Sequence, residues 1–312
     1  MKQLQHLEYR EASYAGCSPP HIFSPILLAC SRESIIIKII KVLEAKCVLP
    51  LCKKDMNCLK YIFALLLLLA SFSLHAAQFH VLLAADTLTE VKKASKKDLK
   101  HMRCELYFAS KAIGTDFQCT ELFGMKLTQK RCLNWVDSTT IGSDDVVIVY
   151  YTGHGLRTNK SPSIWPYLYF PAHDEIINTN QFLQKIMARG PRLAIILIDC
   201  CNNVIADRKV RRQLDPKALF QNHEKALLHT GYRKLFLQTQ GVIIASGSIP
   251  GKRSWATSKG GVFTNAFLNS LRYEASEKEP RWAHILNKTK RLCAHFQKPQ
   301  YQMKIGDQQS QG

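Results

Sequence analysis

The sequence predicts an α/β fold, with a mostly parallel central sheet and helices on both faces. Three observations carry that prediction. Short apolar runs recur from Gln78 onward, and those at 144–155 (DDVVIVYYTGHG), 192–203 (RLAIILIDCCNN) and Gly241–Ser246 (GVIIAS) are apolar without alternation, the pattern of strands buried on both faces. The segments between them place apolar residues three and four apart, as helices do. Strands separated by helices of this length call for parallel pairing.

The elements follow in order. Phe79–Ala85 (FHVLLAA) reads as a short apolar strand, and Val91–Ile113 as a helix with Leu99, Met102 and Leu106 on its inner face. A weaker strand is expected at Thr120–Leu127, then a short helix with Thr128 as N-cap, carrying Leu133, Trp135 and Val136. The strand ending at His154 comes next, and after a loop with Asn159, Ser161 and Pro162 an extra strand at Tyr167–Phe170. Thr179 or Asn180 caps a helix through Met187, which Gly190-Pro191 ends. The strand ending in Asp199-Cys200-Cys201 follows. Residues 204–240 are charged and irregular, with helical patches around Ala218 and Ala226–Leu228. After Gly241–Ser246, two helices, Val262–Tyr273 and Trp282–Phe296, lead to a polar tail from Gln297. Asp86-Thr87 follows the first strand where a dinucleotide-binding fold places G-x-G-x-x-G, which argues against that class.

Two of the strands end in reactive groups, His154-Gly155 and Asp199-Cys200-Cys201. Adjacent parallel strands lie roughly 4.8 Å apart, so side chains at their carboxyl ends come within reach of one another. That end of an open α/β sheet is also where ligands bind. A cysteine attacks as thiolate, and a nearby imidazole takes its proton and later protonates the leaving amine. Gly153 and Gly155 allow a sharp turn and a close substrate approach, and the amides of Gly155 and Cys201 are candidates for an oxyanion site. A strand-end histidine is more often a satisfied polar tip, and a buried cysteine an inert small hydrophobe. Both together after two apolar strands favour the chemical reading. The residues alone do not choose between Cys200 and Cys201.

With 43 Lys+Arg against 24 Asp+Glu among 312 residues, the chain carries a formal charge of +19, which favours acidic partners. The charge is scattered, and no aromatic-interleaved basic motif accompanies it, so nucleic acid is not an expected partner. Of the eleven cysteines, Cys104, Cys119, Cys132, Cys200, Cys201 and Cys293 lie in the body of the chain, without a C-x-x-C pair or ligand-spaced cluster, so no metal site is expected.

The N-terminus differs in character. From Met56 the chain reads MNCLKYIFALLLLLASFSLHAAQ, a short head with Lys60 and an apolar run of about 14 residues from Tyr61 to Leu74. Residues 56–77 are therefore read as a signal peptide cleaved after Ala76 or Ala77, with an uncleaved signal anchor as the alternative. Residues 1–55 are read as a non-native or disordered leader, with Met56 as the natural start; a signal 55 residues inside the chain would not be read normally. The expectation is export to a periplasm or the cell exterior, with membrane contact only through this segment. The folded domain is placed at 78–300 and a polar tail at 301–312.

YYTGHG followed about 45 residues later by IDCC resembles the caspase-like cysteine peptidases, the metacaspases in particular, whose signatures are Y-S-G-H-G and D-[SC]-C-[HN]-S-G. IIASGSIPGKRSWATSKGGVFTNAFLNSL resembles their strand, specificity loop and Gly-Gly-x-Phe-Thr helix start. The resemblance, covering roughly Phe79 to Gln300, implies a caspase-hemoglobinase fold and peptide-bond hydrolysis by a Cys-His dyad. It implies His154 as base, Cys201 as nucleophile and Cys200 in the small-residue slot before it. It also implies a pocket for substrate Arg or Lys built on Asp199, with Asp98 of KKDLKHM as second acid. Protein or peptide substrates follow.

The chain departs from the pattern in two places. Asn202-Asn203-Val204 replaces the H-S-G segment, and the acidic calcium-binding loop of many metacaspases has no counterpart, with only Asp174, Glu175 and Asp207 nearby. No cofactor is expected, and calcium is without support. RKVRR at 208–212 falls where relatives are cut during activation; a basic surface loop reads equally well. The competing readings are a pseudopeptidase that keeps the fold as a binding or scaffold module, and an effector whose basic surface binds partners.

Overall fold

In chain order the elements are β1 (Gln78–Ala85), α1 (Lys92–Ile113), β2 (Asp116–Phe123), α2 (Gln129–Ser138), β3 (Val146–Thr152), β4 (His154–Leu156), β5 (Tyr167–Phe170), β6 (Glu175–Asn178), α3 (Thr179–Met187) and β7 (Leu193–Asp199). They continue with α4 (Lys225–Tyr232), β8 (Gly241–Ser246), β9 (Ala256–Thr257), β10 (Gly260–Gly261), α5 (Val262–Ala275), α6 (Trp282–Cys293), β11 (Gln300–Ile305) and β12 (Gln308–Gln311). The computed structural model describes residues 77–204, 225–306 and 308–311. The leader and signal readings, Asp207, the RKVRR run and the patch around Ala218 lie outside the described residues.

The main sheet has seven strands in the order β12-β11-β8-β7-β3-β1-β2. β2, β1, β3, β7 and β8 are mutually parallel, and β11 and β12 close one edge antiparallel. Side chains alternate across β1. Phe79, Val81 and Leu83 pack with Met102 of α1, Phe267 of α5 and Ile285 of α6; Leu82 and Ala84 pack on the other face with Val136 of α2 and Phe182 of α3. The predicted two-sided sandwich is therefore what forms. Each fully buried Phe, Leu or Ile contributes about 1.5–3 kcal/mol, so the apolar strands account for much of the stability. Among the described residues no helix is long and apolar enough to cross a membrane.

Several elements differ from the sequence reading. The second strand starts at Asp116, because Gly114 in the left-handed conformation (φ 72°) stops α1 and turns the chain straight into it; a 3-10 turn at Gly124–Lys126 occupies the end assigned to strand. Asn178 rather than Thr179 or Asn180 caps α3, its Oδ1 accepting from the amides of Asn180 and Gln181. Lys225–Tyr232 is helical, extending the patch expected around Ala226–Leu228, and runs into a π-helical turn, Arg233–Leu237, where irregular chain was expected. The polar tail is corrected most. Gln300–Ile305 pairs with β8, burying Tyr301 and Met303 on the face that carries Phe79. Polar residues alternating with those two give the segment its tail-like composition.

The registers set Ala85 of β1 opposite both Phe123 of β2 and Thr152 of β3, and Thr152 opposite Asp199 of β7. The carboxyl ends of four parallel strands are thus level.

Candidate active site

Beyond β3 and β7 the two chains stay side by side. The Gly153 amide donates to the Asp199 carbonyl at 3.2 Å, the Arg157 amide to the Asn203 carbonyl at 3.1 Å, and Arg157 pairs with Val204. Thr152 opposite Asp199 and Arg157 opposite Val204 keep one register, which puts His154 level with Cys201. The buried Tyr151 hydroxyl lies 2.7 Å from the carbonyls of His154 and Tyr169 and ties the turn to β5.

The T-G-H-G pattern has a steric origin. A Cβ on Gly155 would stand 2.1 Å from Cys200 Sγ and 2.4 Å from the Cys201 carbonyl, and one on Gly153 2.8 Å from Asp86 Cβ and from the Tyr151 hydroxyl. Only bare backbone lets the two reactive segments approach this closely. Gly155 and Cys201, whose amides were the expected oxyanion donors, therefore lie in adjacent segments.

Burial separates the two cysteines. Cys200 is fully buried in the core on the α2–α3 side, whereas Cys201 is partly exposed and its thiol lies 3.7 Å from the Ser254 carbonyl, the acceptor it donates to. No hydrogen bond joins Cys201 to His154 among the described residues. Asn202, just ahead of the Asn203-Val204 departure from the family pattern, is wholly buried and acts as a bolt. Its Nδ2 donates to the Ile164 carbonyl at 2.8 Å and the Ser248 carbonyl at 3.3 Å, and its Oδ1 accepts from Arg157 Nη1 at 3.2 Å.

His154 is one-quarter exposed, and its Nε2 faces groups that the sequence reading did not assign. Thr89 Oγ1 lies at 3.2 Å, Glu90 Oε1 at 3.3 Å and Asp86 Oδ2 at 3.7 Å. The signal was present. Asp86 follows β1, which is adjacent to β3, so a carboxylate at that strand end lies beside whatever ends β3.

A small cleft, open to solvent, is lined by Asp98, Thr152, Gly153, Asp199, Ser254 and Trp255, among others. Asp98 reaches it from α1 and is buried; both its oxygens accept from the Gly261 amide, at 2.8 and 2.9 Å, and Oδ2 also from Thr152 Oγ1 at 3.2 Å. Asp199, also buried, accepts from Ser254 Oγ at 2.6 Å, from the Thr264 amide at 3.0 Å and from Thr264 Oγ1 at 2.7 Å. Burial, and then the neighbouring Asp199 charge, push the Asp98 carboxyl well above its ordinary range. The two acids predicted to share a pocket thus come together.

Asp174 accepts from the Tyr169 hydroxyl and Glu175 from the Gln129 amide, and among the described residues no three His, Cys, Asp or Glu side chains are grouped to hold a metal ion. No disulfide joins any two of the six body cysteines. Burial pushes the thiols of Cys119 and Cys132 up to about 12.

No curated protein matches the chain. Among solved structures, a Geobacter sulfurreducens protein is 14% identical, covering 72% of this chain and 92% of its own, with a TM-score of 0.48. Caspase-1 of Spodoptera frugiperda is 14% identical, covering 75% of this chain and 89% of its own, with a TM-score of 0.46. A model of the caspase domain matches residues 36–309, and with that match spanning most of its length the chain belongs to the caspase domain family, whose fold is that of a cysteine peptidase.

Proposed function

We propose that the protein is a cysteine endopeptidase that cleaves protein or peptide chains after arginine or lysine. The observation that carries this reading is the level placement of His154 and the partly exposed Cys201 beside a cleft that holds two buried carboxylates. His154 takes the Cys201 proton, and the thiolate attacks the scissile carbonyl. The amides of Gly155 and Cys201 receive the oxyanion; one such donor is worth about 2.7–4 kcal/mol of barrier. As the tetrahedral intermediate collapses, the C–N bond breaks and the imidazolium returns its proton to the leaving amine. Water then attacks the acyl-thioester, releasing the acid and regenerating the thiol. Asp98 and Asp199 favour a basic side chain and repel an acidic one.

Export through the apolar run Tyr61–Leu74 belongs to the same proposal and rests on the sequence alone; N-terminal sequencing of the mature protein tests it. A second reading, a caspase-fold pseudopeptidase that binds without cutting, is favoured by one observation: the Cys201 thiol donates to the Ser254 carbonyl and not to His154. Hydrolysis of fluorogenic peptides ending in Arg, Lys or Asp separates the two. Assays use reducing buffer, with and without calcium, beside Cys201→Ala. Turnover of the Arg and Lys peptides that Cys201→Ala abolishes supports the peptidase; no turnover of any peptide supports the binding module.

A further inference from the structure

We propose that Asp86, acting through Thr89, is a positioning residue that holds His154 with its Nε2 protonated, leaving Nδ1 to take the Cys201 proton. The inference rests on the Cys-His reading above and adds a third member to it.

The hydrogen-bond order follows from donor counting. Thr89 Oγ1 lies 2.6 Å from Asp86 Oδ2, and an ionised carboxylate only accepts, so the single hydroxyl proton of Thr89 goes to Asp86. The hydroxyl is left with lone pairs alone for His154 Nε2, 3.2 Å away, so Nε2 must be the nitrogen that donates. A neutral imidazole protonated at Nε2 carries its basic lone pair on Nδ1. The chain His154 Nε2–H, Thr89 Oγ1–H, Asp86 thereby fixes the tautomer, the role a buried carboxylate plays when it orients a catalytic imidazole.

Asp86 is itself held. It is only 4% exposed, its amide donates to the Thr152 carbonyl at 3.0 Å, and its Oδ1 accepts from the amides of Leu88 at 3.1 Å and Thr89 at 3.3 Å. Glu90, although 3.3 Å from Nε2, has a side chain 67% exposed, and solvent screens it. When His154 becomes an imidazolium during turnover, the buried Asp86 charge is the one placed to stabilise it.

The test reads the tautomer directly, by ring ¹⁵N shifts of histidine-labelled full-length protein, with the His154 signals assigned by their loss in His154→Gln. The expected result is an Nε2–H imidazole in the wild type and in Thr89→Ser, and a mixed or Nδ1–H population in Asp86→Asn and Thr89→Val. Thr89→Val is nearly isosteric and leaves the backbone bonds to Asp86 Oδ1 in place, so it separates the relay from loop folding. Against an Arg-ended peptide, Asp86→Asn and Thr89→Val lower kcat by about 10- to 1000-fold with KM within about twofold, and Thr89→Ser keeps kcat within about threefold. A wild-type Nδ1–H tautomer, or an unchanged tautomer in a folded Asp86→Asn and Thr89→Val pair, overturns the proposal. A tautomer shift caused by Glu90→Gln instead overturns the assignment to Asp86. The tautomer is read without turnover, so failure of the relay and failure of the peptidase reading are seen separately.

Discussion

Asp98, from the second turn of α1, and Asp199, the last residue of β7, are bound by the same turn that opens α5. Gly261 donates its amide to the first, and Thr264, three residues on, donates its amide to the second. A Cβ on Gly261 would stand 2.0 Å from Asp199 Oδ2, so the turn closes over both carboxylates only because this residue has no side chain. Two like charges in one buried place cost stability. A cationic side chain entering the cleft would offset that cost.

Asp98→Asn is accordingly expected to trade function for stability. Because burial raises the folded-state pKa of Asp98, the folded protein keeps a proton that the unfolded chain releases above its ordinary value of 3.8. Stability therefore falls as pH rises from 3.8 through the raised folded value. The variant should melt about 2–4 °C higher than wild type at pH 8, with the gap closing toward pH 4, and should lose hydrolysis of Arg and Lys peptides. Equal melting temperatures at pH 8 would contradict this reading of the cleft.

His101, on the same helix, sets an opposite trend in acid. Burial first, then the nearby Arg272, Lys100 and Lys97 charges, lower its pKa from 6.5 to about 4. The unfolded chain binds this proton below pH 6.5 and the folded protein only near 4, so the contribution is fully present above 6.5 and lost as pH falls through 4. Urea unfolding of wild type should show a loss on the order of 1–3 kcal/mol across that window, reduced for partial solvent exposure, and His101→Gln should flatten it. The same slope in both proteins would remove His101 as the cause.

How much of this was legible depended on where each residue's partners lie. The parallel strands were readable because burial on both faces leaves continuous apolar runs such as VVIVYYT and LAIILID. β11 was not, since its polar residues mask the alternation of Tyr301 and Met303, and only the exposed edge of β8 makes a strand of it. His154 stood out at the end of an apolar run, but the choice of Cys201 over Cys200 needed either the family pattern or the burial of Cys200. Asp86 was read for the glycine it replaces. Its side chain acquires meaning only once β1 is known to lie beside β3.

Gly155→Ala tests the close approach of the two strand ends. With Cys200 Sγ 2.1 Å and the Cys201 carbonyl 2.4 Å from the added methyl, the segments must separate. A loss of about 1–3 kcal/mol in stability is expected, with a drop in turnover larger than unfolding accounts for. A variant of wild-type stability and activity would show that the contact is not required.

The most direct measurement is covalent labelling of the full-length protein by an Arg-ended halomethyl ketone, mapped by peptide mass spectrometry. The account predicts one adduct on Cys201, none on the buried Cys200, slower labelling in Asp98→Asn, and labelling by an Asp-ended reagent at least about 100-fold slower. An adduct on Cys200, or equal rates with the Arg- and Asp-ended reagents, would contradict it.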